Sequence, residues 1–109
     1  MAFAPIKLYQ GQPGTSATTL YTVPSGKKVI LKQIHVCNVT GTDANFTLSL
    51  VPSGGSQSNN NRLFASFNVP ATGVFVEDFN QVMNSGDFLS GLQSTSGAIT
   101  LTISGIEVS

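Results

Sequence analysis

Val23 to Gly41 reads VPSGKKVILKQIHVCNVTG. A tight turn at Pro24-Ser25-Gly26 feeds a β-rich run from Lys28 to Thr40, and a second turn signal at Thr40-Gly41 closes it. Pro24 supplies the fixed φ that a turn wants, and Gly26 tolerates positive φ. The stretch is the longest apolar-rich segment of the chain and holds its only Cys and its only His. A β-branched run of this length reads as a central strand of a β-sandwich, on which shorter strands pair. Its apolar residues fall on both parities. Ile30, Ile34 and Val36 are at even positions; Val29, Leu31, Cys37 and Val39 are at odd ones. Either both faces are covered, or a bulge near Lys32-Gln33 shifts the register. The bulge is the favoured reading, because it brings Val29 and Leu31 onto the face of Ile34 and Val36.

Working outward, Ala17 to Val23 is β-branched and aromatic and ends at Pro24, which has no N–H to give a ladder. On the other side Asn45 to Pro52 alternates cleanly. Phe46, Leu48 and Leu50 point one way, with Thr47 and Ser49 opposite, the pattern of a half-buried antiparallel strand. Arg62 to Val69 and Val74 to Phe79 alternate too, split by Pro70-Ala71-Thr72-Gly73, and Val82 and Met83 are expected to continue onto the core. A turn at Asn84-Ser85-Gly86-Asp87 precedes a short strand, Phe88 to Leu92. Ala98 to Val108 closes the chain, with Ile99, Leu101 and Ile103 on one face. Gly105 then interrupts, Ile106 and Val108 take over, and a bulge is expected there. Residues 1–16 read as an N-terminal arm in which Ile6 to Tyr9 alternates before Gly11-Gln12-Pro13-Gly14 breaks it. Such an arm is either an edge strand or a docking segment for a neighbour. The expected organisation is this arm and one domain over residues 17–109. Its fold class is all-β: an antiparallel, jelly-roll-like β-sandwich of seven or eight strands with no substantial helix.

Ser53 to Asn61 is polar, low in complexity and rich in Gly and Asn. It reads as a long exposed loop. It is either a flexible connection or a contact loop, since binding residues often sit on loops held by a rigid scaffold. The contact reading assigns Gly54, Gly55, Ser56, Gln57, Ser58, Asn59, Asn60 and Asn61.

Composition narrows the function classes. The chain has 109 residues, which suits one domain with one core. Charged residues are only 9%, against roughly 25% in ordinary domains, and the net charge is zero. A surface so short of charge is wetted by Ser, Thr, Asn, Gln and Gly, and a near-zero net charge favours association. One Cys makes no internal disulfide. The start, MAFAPIK, lacks the basic and apolar regions of a secretory signal, and no run approaches the length of a membrane span. No membrane partner is expected.

The chemistry-bearing residues are few. His35 and Cys37 share a parity on the central strand, and neither a G-x-S-x-G elbow nor a metal-ligand set accompanies them. Glu77 and Asp78 are neighbours on a strand and point to opposite faces, so they make no facing acid/base pair. The chain is therefore expected not to be an enzyme, with no catalytic residue, no cofactor and no metal site. Lys27, Lys28 and Lys32 make a small positive spot, too little to track a phosphate backbone, so no nucleic-acid partner is expected either.

Five pieces together carry a resemblance: TLYTVPSGKKVILKQIHVCNVTG (Thr19–Gly41), NFTLSLVP (Asn45–Pro52), NRLF (Asn61–Phe64), NSGDFLSG (Asn84–Gly91) and ITLTISGIEV (Ile99–Val108). From residue 18 to 108 the chain resembles the small β-sandwich structural proteins of tailed bacteriophages, of the Bacillus siphophage type encoded near the tail genes. It is also similar to the shoulder domain of siphophage receptor-binding proteins, without their coiled neck or trimeric head. The resemblance implies a non-enzymatic virion or tail-associated accessory protein acting through protein–protein contacts. Its partners would be other phage structural proteins, with self-association open to it. It would be made in the bacterial host cytoplasm and reside in the virion. The alternative implied by the same resemblance is a carbohydrate- or receptor-binding module of the phage tail tip.

Overall fold

The computed structural model describes residues 3–109. Eight strands follow one another: β1 (Phe3–Gly11), β2 (Thr18–Thr22), β3 (Lys28–Asn38), β4 (Ala44–Val51), β5 (Arg62–Val69), β6 (Val74–Met83), β7 (Phe88–Gln93) and β8 (Ile99–Val108). A single 3₁₀ turn, Asn59–Asn61, interrupts the loop between β4 and β5. The strands form two antiparallel four-stranded sheets of order β1-β8-β3-β6 and β2-β7-β4-β5. Successive strands therefore mostly alternate between sheets, and β4–β5 is the one sequential hairpin within a sheet. This interleaving of two Greek keys is the jelly roll. The all-β sandwich expected from the sequence is the fold of the chain.

β3 is an inner strand, flanked by β8 and β6, and it carries the bulge expected at Lys32-Gln33. Leu31 pairs with Gly105 and Gln33 with Ser104, which leaves Lys32 as an extra residue against β8. Against β6 the imbalance reverses: Leu31 pairs with Gln81 and Gln33 with Asp78, so Phe79 and Asn80 oppose Lys32 alone. The shift puts Val29, Leu31, Ile34 and Val36 all on the inner face, each fully buried. Each such side chain contributes about 1.5–3 kcal/mol of burial free energy, so the bulge is what lets an 11-residue strand use four of them.

The end of β8 differs from its reading. β8 itself is regular, and Gly105 stays on the inner parity with Ile99, Leu101 and Ile103. The extra residues lie in its neighbours, Leu8 in β1 and Lys32 in β3. The cause is space: a Cβ at position 105 would stand 2.6 Å from the Ile30 carbonyl oxygen and 3.2 Å from Leu8 Cδ1. Glycine lets the two bulged strands close over β8 at that point. Ile106 and Val108 consequently face outward rather than replacing the core residues. β6 shows a second difference. Met83 is buried as expected, but its neighbour Val82 is 58% exposed, because adjacent strand residues point to opposite faces.

β4 is buried on both faces, not one. Thr47 and Ser49 lie under cover with Phe46 and Leu48. Their hydroxyls are satisfied: Thr47 Oγ1 accepts from the Ser66 amide at 3.0 Å, and Ser49 Oγ accepts from the Arg62 guanidinium at 3.2 Å. Between the sheets, Phe46, Phe64, Phe67 and Phe75 form one aromatic cluster. Phe67 and Phe75 have centroids 4.4 Å apart across the sandwich, and Phe64 meets Phe75 edge-on at 5.8 Å. This cluster closes the side of the sandwich where the outer strands β5 and β6 face each other.

Candidate functional site

The loop after β4 is built, not slack. Gly54 takes a φ of +80°, and the Gly55 amide donates to the Pro52 carbonyl at 2.9 Å, which makes a tight first turn. Ser58 precedes the 3₁₀ turn in an extended conformation. Its Oγ accepts from the Asn60 amide at 3.3 Å, while its own amide donates to Asn61 Oδ1 at 3.0 Å. This is the reciprocal logic of a capping box, with Asn61 in the place of Glu or Gln. Asn61 Nδ2 donates in turn to the Ser56 carbonyl at 3.1 Å. The Arg62 guanidinium donates both to Gln57 Oε1 and to Ser49, so the half-buried Gln57 is tethered to β4. Gly54, Gly55, Ser56, Ser58, Asn59 and Asn60 remain exposed.

Two open hollows continue from this loop along the β5/β6 side. The first, about 430 Å³, is lined by Leu50, Pro52, Asn60, Asn61, Arg62, Leu63 and Gln81. The second, about 350 Å³, is lined by Leu63, Phe64, Glu77, Phe79, Asn80 and Gln81. Leu63 and Gln81 belong to both, so the hollows form one groove whose upper end is the 3₁₀ turn. Its lining mixes the apolar Leu50, Leu63, Phe64 and Phe79 with side-chain amides, the Glu77 carboxylate and the Arg62 guanidinium. Of the eight residues assigned to the contact loop, Asn60 and Asn61 line the groove; the others face solvent beside it or hold the loop in shape. Sequence reading missed Phe64, Glu77, Phe79 and Gln81. Nothing local marks them, because they come from two strands that belong to different sheets.

The remaining chemistry-bearing residues are dispersed. His35 is exposed on the outer face of the first sheet, and Cys37 is half-buried two residues on. Among the described residues no group of three or more His, Cys, Asp and Glu side chains is placed to hold a metal ion. Glu77 points into the groove, while Asp78 accepts from Gln33 Nε2 at 2.9 Å on the outer face, so the two carboxylates diverge as their parity requires. Asp87 works in its turn: its two carboxylate oxygens accept from the Ser53 amide at 3.0 Å and the Asn84 amide at 2.9 Å. In the basic spot, Lys27 is ion-paired with Glu107 at 3.0 Å and Lys32 donates to Asn80. No helix among the described residues is long and apolar enough to cross a membrane.

No family model and no curated protein sequence matches the chain. Solved structures do match in fold. The chain is similar to one in the structure of the infectious bursal disease virus Gx strain, at 15% identity and a TM-score of 0.54, over 97% of this chain and 32% of that one. The VP2 subviral particle of the same virus gives the same figures. The T13 particle of that virus gives 13% identity and a TM-score of 0.51 over 98% and 31% of the two chains. The chain thus spans about a third of the length of these structural neighbours. At such identities the likeness is one of fold alone, and it extends over this chain almost end to end.

Proposed function

We propose that the protein is a non-enzymatic structural component of a bacteriophage virion, an accessory protein associated with the tail that docks on other virion proteins. The observation that carries this reading is the jelly roll over nearly the whole chain, matched in infectious bursal disease virus particles. The phage-like sequence pieces from Thr19 to Val108 and the charge-poor surface support it. In this reading the loop Gly54–Asn61 and the groove beside it form the contact surface. A capped loop held by Arg62 has less conformational freedom to lose on docking, which favours binding. The test is mass spectrometry or antibody labelling of purified particles of the phage that encodes it. The protein is expected at a fixed copy number per virion; its absence from mature particles overturns the reading.

A second reading is a carbohydrate- or receptor-binding module of the tail tip. It is favoured by the groove's chemistry: Asn60, Asn61, Asn80, Gln81 and Glu77 offer hydrogen bonds beside the apolar Leu63, Phe64 and Phe79. Saturable binding of the protein to host cell-wall material, lost on Gln81→Ala, would put this reading first.

A further inference from the structure

The outer face of the first sheet carries an apolar row that crosses all four strands. Pro5 of β1 pairs with Ile106 of β8, Ile106 with Ile30 of β3, and Ile30 with Val82 of β6. All four point away from the core, since Val29, Leu31, Ile103 and Met83 on the opposite parity are buried. Pro5 is exposed, Val82 is 58% exposed, and Ile30 and Ile106 are half-buried. The flanking row extends it over two strands and ends on a charge: Phe3, 66% exposed, pairs with Val108, and Val108 pairs with Lys28. Scattered apolar residues on a surface are ordinary, but a contiguous row in register is a contact surface. The second sheet has no apolar row across four strands: its outer rows pair Ser49 with Ser90, Thr47 with Leu92, and Val51 with Phe88, which pairs on with Thr22.

The next row on the same face decides the occupant. Lys7 of β1 pairs with Ser104, Ser104 with Gln33, and Gln33 with Asp78 of β6. In this row a cation therefore stands at one edge of the sheet and an anion at the other, with two uncharged residues between; Lys28 and the bulged Lys32 of β3 add two exposed cations to the same face. A second copy laid face to face, related by a two-fold axis parallel to the strands, sets β1 over β6 and β8 over β3. Every row is then retained. Lys7 meets the partner's Asp78 twice over, and the Pro5–Ile106–Ile30–Val82 row meets its own reverse. Such a contact is isologous and closed, and two aligned sheets pack this way face to face.

We infer that the outer face of the β1-β8-β3-β6 sheet is a homodimer interface, with Lys7 and Asp78 as reciprocal charge partners across the two-fold axis. This goes beyond a role in the virion and holds or fails for the isolated protein.

The test is light scattering of the purified chain over a concentration series, with single and paired charge reversals. A dimer in equilibrium with monomer is expected. Lys7→Glu and Asp78→Lys each turn two attractive contacts into repulsive ones and are expected to weaken the dimer by about tenfold, less at high salt. The double variant Lys7→Glu/Asp78→Lys restores the wild-type dissociation constant. Val82→Arg, placed in the apolar row, removes the dimer. All three positions are exposed, and unchanged melting curves confirm that each variant is folded. A protein that is monomeric at every concentration overturns the inference. So does a dimer indifferent to Val82→Arg, or a double reversal no better than the single ones.

Discussion

Replacing Gly105 with alanine asks whether the sheet closes at the bulge as described. The added methyl would stand 2.6 Å from the Ile30 carbonyl oxygen, where contacts under 3.0 Å are not tolerated. The atoms must part by at least ~0.4 Å, and the obstacle is main chain, so no side chain can rotate away. The same methyl meets Leu8 Cδ1 at 3.2 Å and Val29 Cγ1 at 3.4 Å, so the pressure comes from both neighbouring strands. Overpacking of this kind costs about 1–3 kcal/mol. At roughly 4–8 °C per kcal/mol for a domain near this size, the midpoint falls by about 4–24 °C. The assay is thermal unfolding followed by circular dichroism, with a urea titration beside it. The midpoint should drop while the denaturant slope is unchanged, the signature of lost stability without a changed denatured state. Gly41→Ala is the internal control. Its Cβ would meet nothing within 4 Å, and its φ is not in the left-handed region. That variant should be neutral or gain up to about 1 kcal/mol through the unfolded chain. If Gly105→Ala melts with the wild type while Gly41→Ala behaves as expected, the close approach of β3, β8 and β1 is refuted.

Two further outcomes are expected. Phe46 is fully buried and touches both Phe64 and Phe67 at centroid distances of 5.3 and 5.8 Å, so Phe46→Ala should cost about 3–5 kcal/mol, read as a shift in the urea midpoint. Burial, and secondarily the carboxylate of Glu107, raise the Tyr21 hydroxyl above its ordinary value of 10.0, while Lys27 opposes them. The unfolded chain therefore releases this proton at lower pH than the folded one. Stability from this group is complete below pH 10 and is lost as pH rises from there through the raised value. Melting temperatures measured across that range should fall less steeply for Tyr21→Phe than for the wild type; equal slopes would remove Tyr21 as the cause.

The sequence by itself determined the strands. Alternation, β-branched runs and Gly/Pro turn signals act over a few residues, and they identified seven or eight strand-forming stretches, with the N-terminal arm left open between edge strand and docking segment, and the polar loop of residues 53–61. They even indicated the bulge at Lys32, because Val29, Leu31, Ile34 and Val36 reach one face only if the register slips. Which strand lies beside which was decided by tertiary structure. A period of two reports that a residue has an inside and an outside, not what covers either side. Thr47 and Ser49 look like solvent-facing residues in isolation and are buried, because Ser66 and Arg62 reach them from elsewhere in the chain. Gly105 looks like a break and is a close approach, because its reason lies on β1 and β3. The groove joins Asn60 and Asn61 to Glu77, Phe79 and Gln81 only because β5 and β6, in different sheets, face one another along one side of the sandwich. The rows that align Pro5 with Val82 and Lys7 with Asp78 are likewise products of pairing between residues far apart in sequence, which no local pattern encodes.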